Sequence, residues 1–404
     1  MDITAATARA KVAGGAEPRG RFGAVAAWLF VCCALIFLMV VIGGITRLTL
    51  SGLSITEWRP VVGVLPPLSA ADWAAEFAKY QQIPEYRLVH YGMTLDEFRN
   101  IYWWEYAHRL LGRLIGVAFA GPFAWFLVRG RLPRRLVPRL GGILLLGFAQ
   151  GGLGWYMVES GLADRTEVSQ YRLVAHLALA LALYAAILWV ALDILRRSPR
   201  SEREAPIAGL GPAIHVSDTA SKGVGGRGKP GYGEFIAAAE TSAGWRRAAE
   251  AVIVLVALTI AAGGFVAGIR AGLTYNTFPL MDGRLVPSGY AQLRPFILNW
   301  FENVAAVQFD HRLLAVATAV AILLLWAAGR HTGLPKPART ALDALLGAAA
   351  MQMALGVATL LLVVPIPLAA AHQAGAVLLL TAAIVFRHTL GRPRFMDAAP
   401  LATI

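Results

Sequence analysis

The sequence predicts an all-α polytopic membrane protein, with eight transmembrane helices forming two tandem pseudo-symmetric four-helix bundles. Three observations lead there. Of the 404 residues, 57% are hydrophobic and only 15% charged, and the mean hydropathy is +0.58, a composition suited to lipid rather than water. Eight apolar runs each approach the roughly 20 residues that cross a bilayer, near 24–44, 107–128, 140–158, 173–193, 248–268, 311–329, 342–363 and 368–387. A set of motifs also recurs in the same order in both halves, the mark of a repeat architecture.

Taken in order, residues 1–23 are polar, Ala/Gly-rich and basic and read as a disordered cytoplasmic tail. The apolar run that follows is too long for the core of a cleaved signal peptide. It carries the two cysteines, Cys32 and Cys33. Adjacent cysteines make neither an ordinary disulfide with each other nor a CxxC site, so they read as small apolar filler. The first long loop, 45–106, carries its own order. Ser69 with Asp72 has the form of a capping box, followed by Trp73, Phe77 and Tyr80 at helical spacing, which predicts a short amphipathic helix. Thr94 with Glu97 forms a second cap, opening a helix that runs without a break through Glu105 and His108 into the second span. Pro60, Pro66, Pro67 and Pro84 punctuate the turns between.

Residues 24–196 form the N-terminal half, 248–390 the C-terminal half and 391–404 a second cytoplasmic tail. The intervening 197–247 stretch contains S-K-G-V-G-G-R-G-K-P-G-Y-G and reads as a flexible cytoplasmic linker. His215 within it is expected to be solvated. The net charge is +13, yet no basic strip interleaved with aromatics lies outside the spans, which excludes a nucleic-acid binder. The positive charge instead sets orientation. The short R-G-R-L-P-R-R loop at 129–135, the linker and both termini are basic, so the positive-inside rule places both termini in the cytoplasm.

The repeat is read motif by motif. Gly43-Gly44 precedes Gly52-Leu53 as Gly263-Gly264 precedes Gly272-Leu273. Gly63 and Leu65 match Gly283 and Leu285, and H-R-L-L at His108 returns at His311. Gln150 with Gly154 returns as Gln352 with Gly356, and His176 returns as His372. Four spans per half give both halves the same orientation, a parallel repeat.

This sorts the histidines. His108, His176, His311 and His372 occupy matched positions at the starts of even-numbered spans, at one depth near the outer face; His90, His215, His331 and His388 do not. Two inward imidazoles in a four-helix bundle are a common way to hold a heme by both axial positions. His108 with His176 forms one candidate pair and His311 with His372 the other. Runs of small residues such as Gly151-Gly152 and Gly263-Gly264 permit close helix packing or the approach of a flat ring. Arg109 and Arg312 each follow a candidate ligand and suit either heme propionates or interfacial anchoring. The halves differ three residues before that ligand, where the first has Glu105 and the second Gln308. Only glutamate titrates, so one heme site is expected to be reactive and the other supporting.

The chain resembles the heme A synthase family, bacterial and mitochondrial. The matching stretches are G-G-I-T-R-L-T-L-S-G-L-S-I-T-E-W-R-P at 43–60, P-E-Y at 84–86 and E-Y-A-H-R-L-L-G-R at 105–113. They continue with N-T-F-P-L-M-D-G at 276–283, F-D-H-R-L-L-A at 309–315 and A-H-Q at 371–373. The absence of loop cysteines places the resemblance in the cysteine-free branch with proteobacterial and mitochondrial forms. The resemblance implies oxidation of a ring methyl of heme O to a formyl group, giving heme A for terminal oxidases. It implies a substrate heme between His108 and His176 with Glu105 essential to the oxidation, and a heme b cofactor between His311 and His372. Heme O synthase, oxidase assembly factors, an unidentified electron donor, membrane lipid and a second copy of the chain are the implied partners, in the bacterial inner membrane. The competing reading is a bis-histidine cytochrome b that only transfers electrons.

Overall fold

The computed structural model describes residues 20–58, 62–164, 167–196 and 232–391. The expected tails before 20 and after 391, and linker residues 197–231 with His215, lie outside these. Among the described residues the long elements are all helical, and eight helices are long and apolar enough to cross a membrane. They are α1 (Gly20–Leu48), α4 (Leu95–Val128), α5 (Val137–Asp164), α6 (Gln170–Arg196), α7 (Tyr232–Gly268), α9 (Val304–Arg330), α10 (Lys336–Leu361) and α11 (Ile366–Thr389). Two short helices, α2 (Ala70–Tyr80) and α3 (Pro84–Leu88), precede α4, and α8 (Asn299–Glu302) precedes α9. Every expected span falls within one of the eight helices or extends at most two residues past its end.

Both capping boxes are formed. Ser69 and Asp72 exchange side-chain and backbone bonds at the start of α2, and Thr94 and Glu97 do so at the start of α4. The second cap lets α4 begin at Leu95, well ahead of the apolar run, and carry Glu105 and His108 on continuous helix. Helix α2 turns Trp73 and Tyr80 inward, where they pack with Phe98, Ile101 and Tyr102 of α4. Trp73 meets Tyr102 edge-on with ring centroids 4.9 Å apart. This aromatic layer fixes α2 and α3 against the first part of α4.

One boundary departs from expectation. Residues 232–247, read as linker, are the start of α7. The run F-I-A-A-A-E-T-S-A-G-W-R-R-A-A-E is rich in strong helix formers, and this local propensity outweighs the low apolar content that marked it as loop.

Helix α1 packs against α4 and α6, and α5 against the same two; α7 packs against α9 and α11, and α10 against those two. The neighbour order is therefore the same in each half. The halves meet through α1 with α11, α6 with α7 and α6 with α11. At the end of the bundle away from the 49–94 segment, His388 of α11 sets Nε2 3.1 Å from Asp193 of α6, and Arg387 binds Glu250 of α7. The cysteines lie buried and without a disulfide in α1 within the apolar core, the Cys32 thiol donating to the Ala118 carbonyl at 3.8 Å, which agrees with their reading as filler.

Candidate functional site

The four matched histidines stand on four different helices: His108 on α4, His176 on α6, His311 on α9 and His372 on α11. Within each half the two lie near one another, His108 with His176 and His311 with His372. All four are half-buried. Each ring lies against a glycine of a neighbouring helix. A methyl carbon on Gly43 of α1 would stand 3.1 Å from Nε2 of His108, and one on Gly154 of α5 would stand 3.0 Å from Cε1 of His176. On Gly263 of α7 it would stand 2.9 Å from Cε1 of His311, and on Gly356 of α10 2.8 Å from Cε1 of His372. These separations fall inside the roughly 3.5–4.0 Å of an unstrained carbon contact. The four glycines are themselves two matched pairs of the repeat, Gly43 with Gly263 and Gly154 with Gly356.

The ring nitrogens bear on what the site can hold. Nδ1 of His311 lies 3.1 Å from the carbonyl of Thr259. A carbonyl only accepts, so Nδ1 carries the proton and Nε2 keeps the lone pair that a metal takes. Nδ1 of His176 and of His372 is buried without a hydrogen-bond partner. His108 is turned differently from the other three, with Nε2 as the atom nearest its glycine. No cluster of three or more His, Cys, Asp or Glu suited to a bare metal ion occurs among the described residues. Paired, glycine-backed imidazoles instead fit a metal that brings its own equatorial ligands, as heme does. The residues present therefore fit a heme in each half, His176 by exchanging for the iron the Gln150 amide that donates to its Nε2 at 3.2 Å.

The glycine contacts give a direct test with a built-in control. Gly356→Ala is expected to push the His372 ring from its seat and sharply lower the heme content of the second half. Gly151→Ala, where nothing lies within 4 Å, is expected to leave it unchanged. Heme per protein from pyridine hemochrome spectra reads both, and equal retention would remove the glycines from the ligand seats. Gly151-Gly152 was expected to admit close packing; neither has a neighbour within 4 Å, so that part of the expectation is corrected. Gly263-Gly264 does pack closely. Gly263 backs His311, while Gly264 faces Val174 and Leu177, on either side of His176. Gly43-Gly44 behaves alike, with Gly44 against Gln373, which follows His372 and donates to the Val40 carbonyl at 2.7 Å. Each Gly-Gly pair thus backs a matched histidine of its own half and admits a histidine-bearing helix of the other.

Glu105 is 2% exposed. Its Oε2 accepts from the Ser54 hydroxyl and the Ile55 amide, both at 2.7 Å, and its Oε1 accepts from Nε and Nη2 of Arg109 at 2.9 and 2.6 Å. Four donors converge on one buried carboxyl, an arrangement suited to the ionised form. Arg109 also donates to the carbonyls of Ile55 and Glu57, at 2.7 and 3.0 Å, and so clamps the segment after α1 onto α4. The second half repeats the clamp with one charge missing. Arg312 donates to the carbonyls of Tyr275 and Thr277, and to Oε1 of Gln308 at 3.0 Å, while Gln308 donates to the Ala271 carbonyl at 2.8 Å. Nε of Arg312 is buried and unpartnered, a donor free for an anion. Sequence reading found both arginines but not the clamp, which joins residues about fifty positions apart. Nor did it find the seats at Gly43, Gly154 and Gly356, although all three appeared as repeat markers.

Residues 26–218 and 227–384 match the family described as Cytochrome oxidase assembly protein, COX15-CtaA. A heme A synthase of Nitrosospira multiformis is 51% identical over 368 residues, covering 91% of this chain and 94% of the relative. One of Rhodospirillum centenum is 50% identical over 371 residues, covering 92% and 89%. Heme A synthase COX15 of Arabidopsis thaliana is 41% identical over 375 residues, covering 91% and 75%.

Proposed function

The chain belongs to the COX15-CtaA family of cytochrome oxidase assembly proteins, and from that premise we propose that it is a heme A synthase, a multi-pass membrane enzyme of heme A biosynthesis. It acts as an oxidoreductase on heme O, converting one ring methyl to a formyl group for use in terminal oxidases. His108 and His176 hold the substrate in the half spanning 24–196. His311 and His372 hold heme b in the half spanning 248–390. The single observation that carries this reading is the contrast between two similarly built histidine pairs, one with the carboxylate of Glu105 three residues before its first histidine and the other with the neutral Gln308 there.

Methyl to formyl is two successive two-electron oxidations, R–CH3 + H2O → R–CHO + 4 H+ + 4 e− overall, with the electrons passing to an oxidant supplied from outside the chain, and each step leaves the carbon short of electrons and shedding protons. A fixed negative charge beside that carbon stabilises the positive charge as it builds, and Glu105 is held in that form by its four donors. To take a proton, Glu105 has to release one donor. Ser54 is the one that can rotate its hydrogen away without exposing a charge. Gln308 keeps the clamp but neither carries charge nor accepts a proton. Heme b, when bound between His311 and His372, supplies one-electron transfer. The free Nε of Arg312 suits a propionate of that heme, and the remaining Nη1 hydrogen of Arg109 suits one of the substrate.

The basic 129–135 loop supports an orientation with both termini cytoplasmic, and the proposed placement is the inner membrane. Heme O synthase supplying substrate, assembly factors receiving product, a separate electron donor and a homo-oligomer complete the proposal. Expression alongside a heme O source, followed by chromatography of the extracted pigment, tests the activity. Heme A is the expected product. Recovery of heme B and unchanged heme O alone would leave only a bis-histidine electron carrier.

A further inference from the structure

The 49–94 segment holds a second carboxyl group that the chemistry above does not use. Glu85 of α3 is 3% exposed, and its Oε2 is buried without a hydrogen-bond partner. An ionised carboxylate needs its acceptor sites filled, and burying one unfilled is costly. As placed, Glu85 suits the protonated form, whereas Glu105, met by four donors, suits the ionised one.

The groups facing Glu85 come from every side. They are Tyr80 of α2, Glu105 of α4, Glu167 between α5 and α6, Arg47 at the end of α1 and Arg270 just after α7. Both arginines are already engaged. Arg47 binds Glu167 at 2.5 Å and the Gly268 carbonyl at 3.0 Å, and Arg270 binds the other oxygen of Glu167. Burial pushes Glu85 up to about 8; Glu105 and Glu167 press the same way, and the arginines only partly offset them. Two residues beyond the cap of α3, Tyr91 is exposed, as is Leu88 within it. The short helix thus has exposed residues at the surface of the segment and, in Glu85, a buried carboxyl close enough to Glu105 for the two to act on each other electrostatically.

One buried carboxyl group with an unfilled oxygen thus lies near another whose oxygens take four donors. We infer that Glu85 is the proton-exchanging partner of Glu105, holding a proton in the resting protein and trading it with the Glu105 site during turnover. It acts through Glu105 and does not touch the porphyrin, so it is a positioning residue for proton traffic. The inference rests on the heme A synthase reading, and its test separates the two.

The test uses full-length, heme-loaded protein. Infrared difference spectra recorded across a pH titration are expected to show a protonated-carboxyl C=O band that disappears with a midpoint near pH 8. The band should be absent in Glu85→Gln and shifted in midpoint in Glu85→Asp. In parallel, heme O conversion plotted against pH is expected to have a limb centred near pH 8. Glu85→Gln should flatten it at unchanged heme content, and Glu85→Asp should restore a displaced one. A merely structural role would lower heme content or yield without altering the shape of the profile. A band or limb that survives in Glu85→Gln, or no band in the parent, overturns the inference. Failure of the parent to make heme A overturns the functional reading instead and leaves the infrared result to decide Glu85 by itself.

Discussion

Glu105→Gln is expected to lower heme O conversion by about two to four orders of magnitude, the usual effect of removing a proton-transferring or charge-stabilising group, while both hemes stay bound. The second half shows why the variant should fold. Gln308 occupies the corresponding position, accepts from Arg312 and donates to the Ala271 carbonyl. A glutamine at 105 can take up the same clamp on Arg109. What it loses, on the proposed reading, is the negative charge beside the substrate and the capacity to accept a proton. Heme content by hemochrome and product by chromatography check the two halves of the expectation. Loss of conversion together with loss of the His108–His176 heme would make Glu105 structural. Conversion at the parental rate would remove it from the reaction.

Arg109→Leu is expected to be far more damaging to stability than Arg312→Leu, although the two arginines hold equivalent positions. Arg109 and Glu105 form an ion pair with side chains 10% and 3% exposed. Removing one partner strands a buried charge, at a cost of about 3–5 kcal/mol. Arg312 faces the neutral Gln308, so its removal forfeits hydrogen bonds worth about 1.5–3 kcal/mol in total if they behave as a single charge-assisted contact. Thermal unfolding of the two variants in detergent, side by side, gives the comparison. The double variant Arg109→Leu/Glu105→Leu should recover much of the lost stability and none of the activity. Equal destabilisation by the two single substitutions would contradict the picture of a charged clamp in one half and a neutral one in the other.

The spans were legible because lipid imposes a length and a polarity on any helix that crosses it. The two capping boxes were legible because a cap is a contact between residues three apart. The histidine quartet was legible only through the repeat: a lone His372 on an apolar helix carries no signal, whereas four histidines in register do. What escaped was everything that needs two distant segments at once. The glycines at 43, 154, 263 and 356 read as markers of similarity or as places for close packing. Their use as seats for imidazoles depends on which helices become neighbours. Ser54 and Ile55 gave no sign of meeting Glu105, and Glu85 was one residue of a short motif until its burial beside Arg47, Glu167 and Arg270 appeared. The start of α7 was misplaced for the opposite reason: residues 232–247 lack the apolar content of a span, but helix formation there needs only local propensity.

The claim on which the rest depends is the division of labour between the halves, a reactive heme on His108 and His176 and a supporting heme on His311 and His372. Chromatography of the pigment retained by two variants, each supplied with heme O, tests it most directly. His311→Ala is expected to lose heme B and keep heme O, and His108→Ala to lose heme O and its products and keep heme B. Loss of the same pigment from both variants, or the reverse pattern, would contradict it.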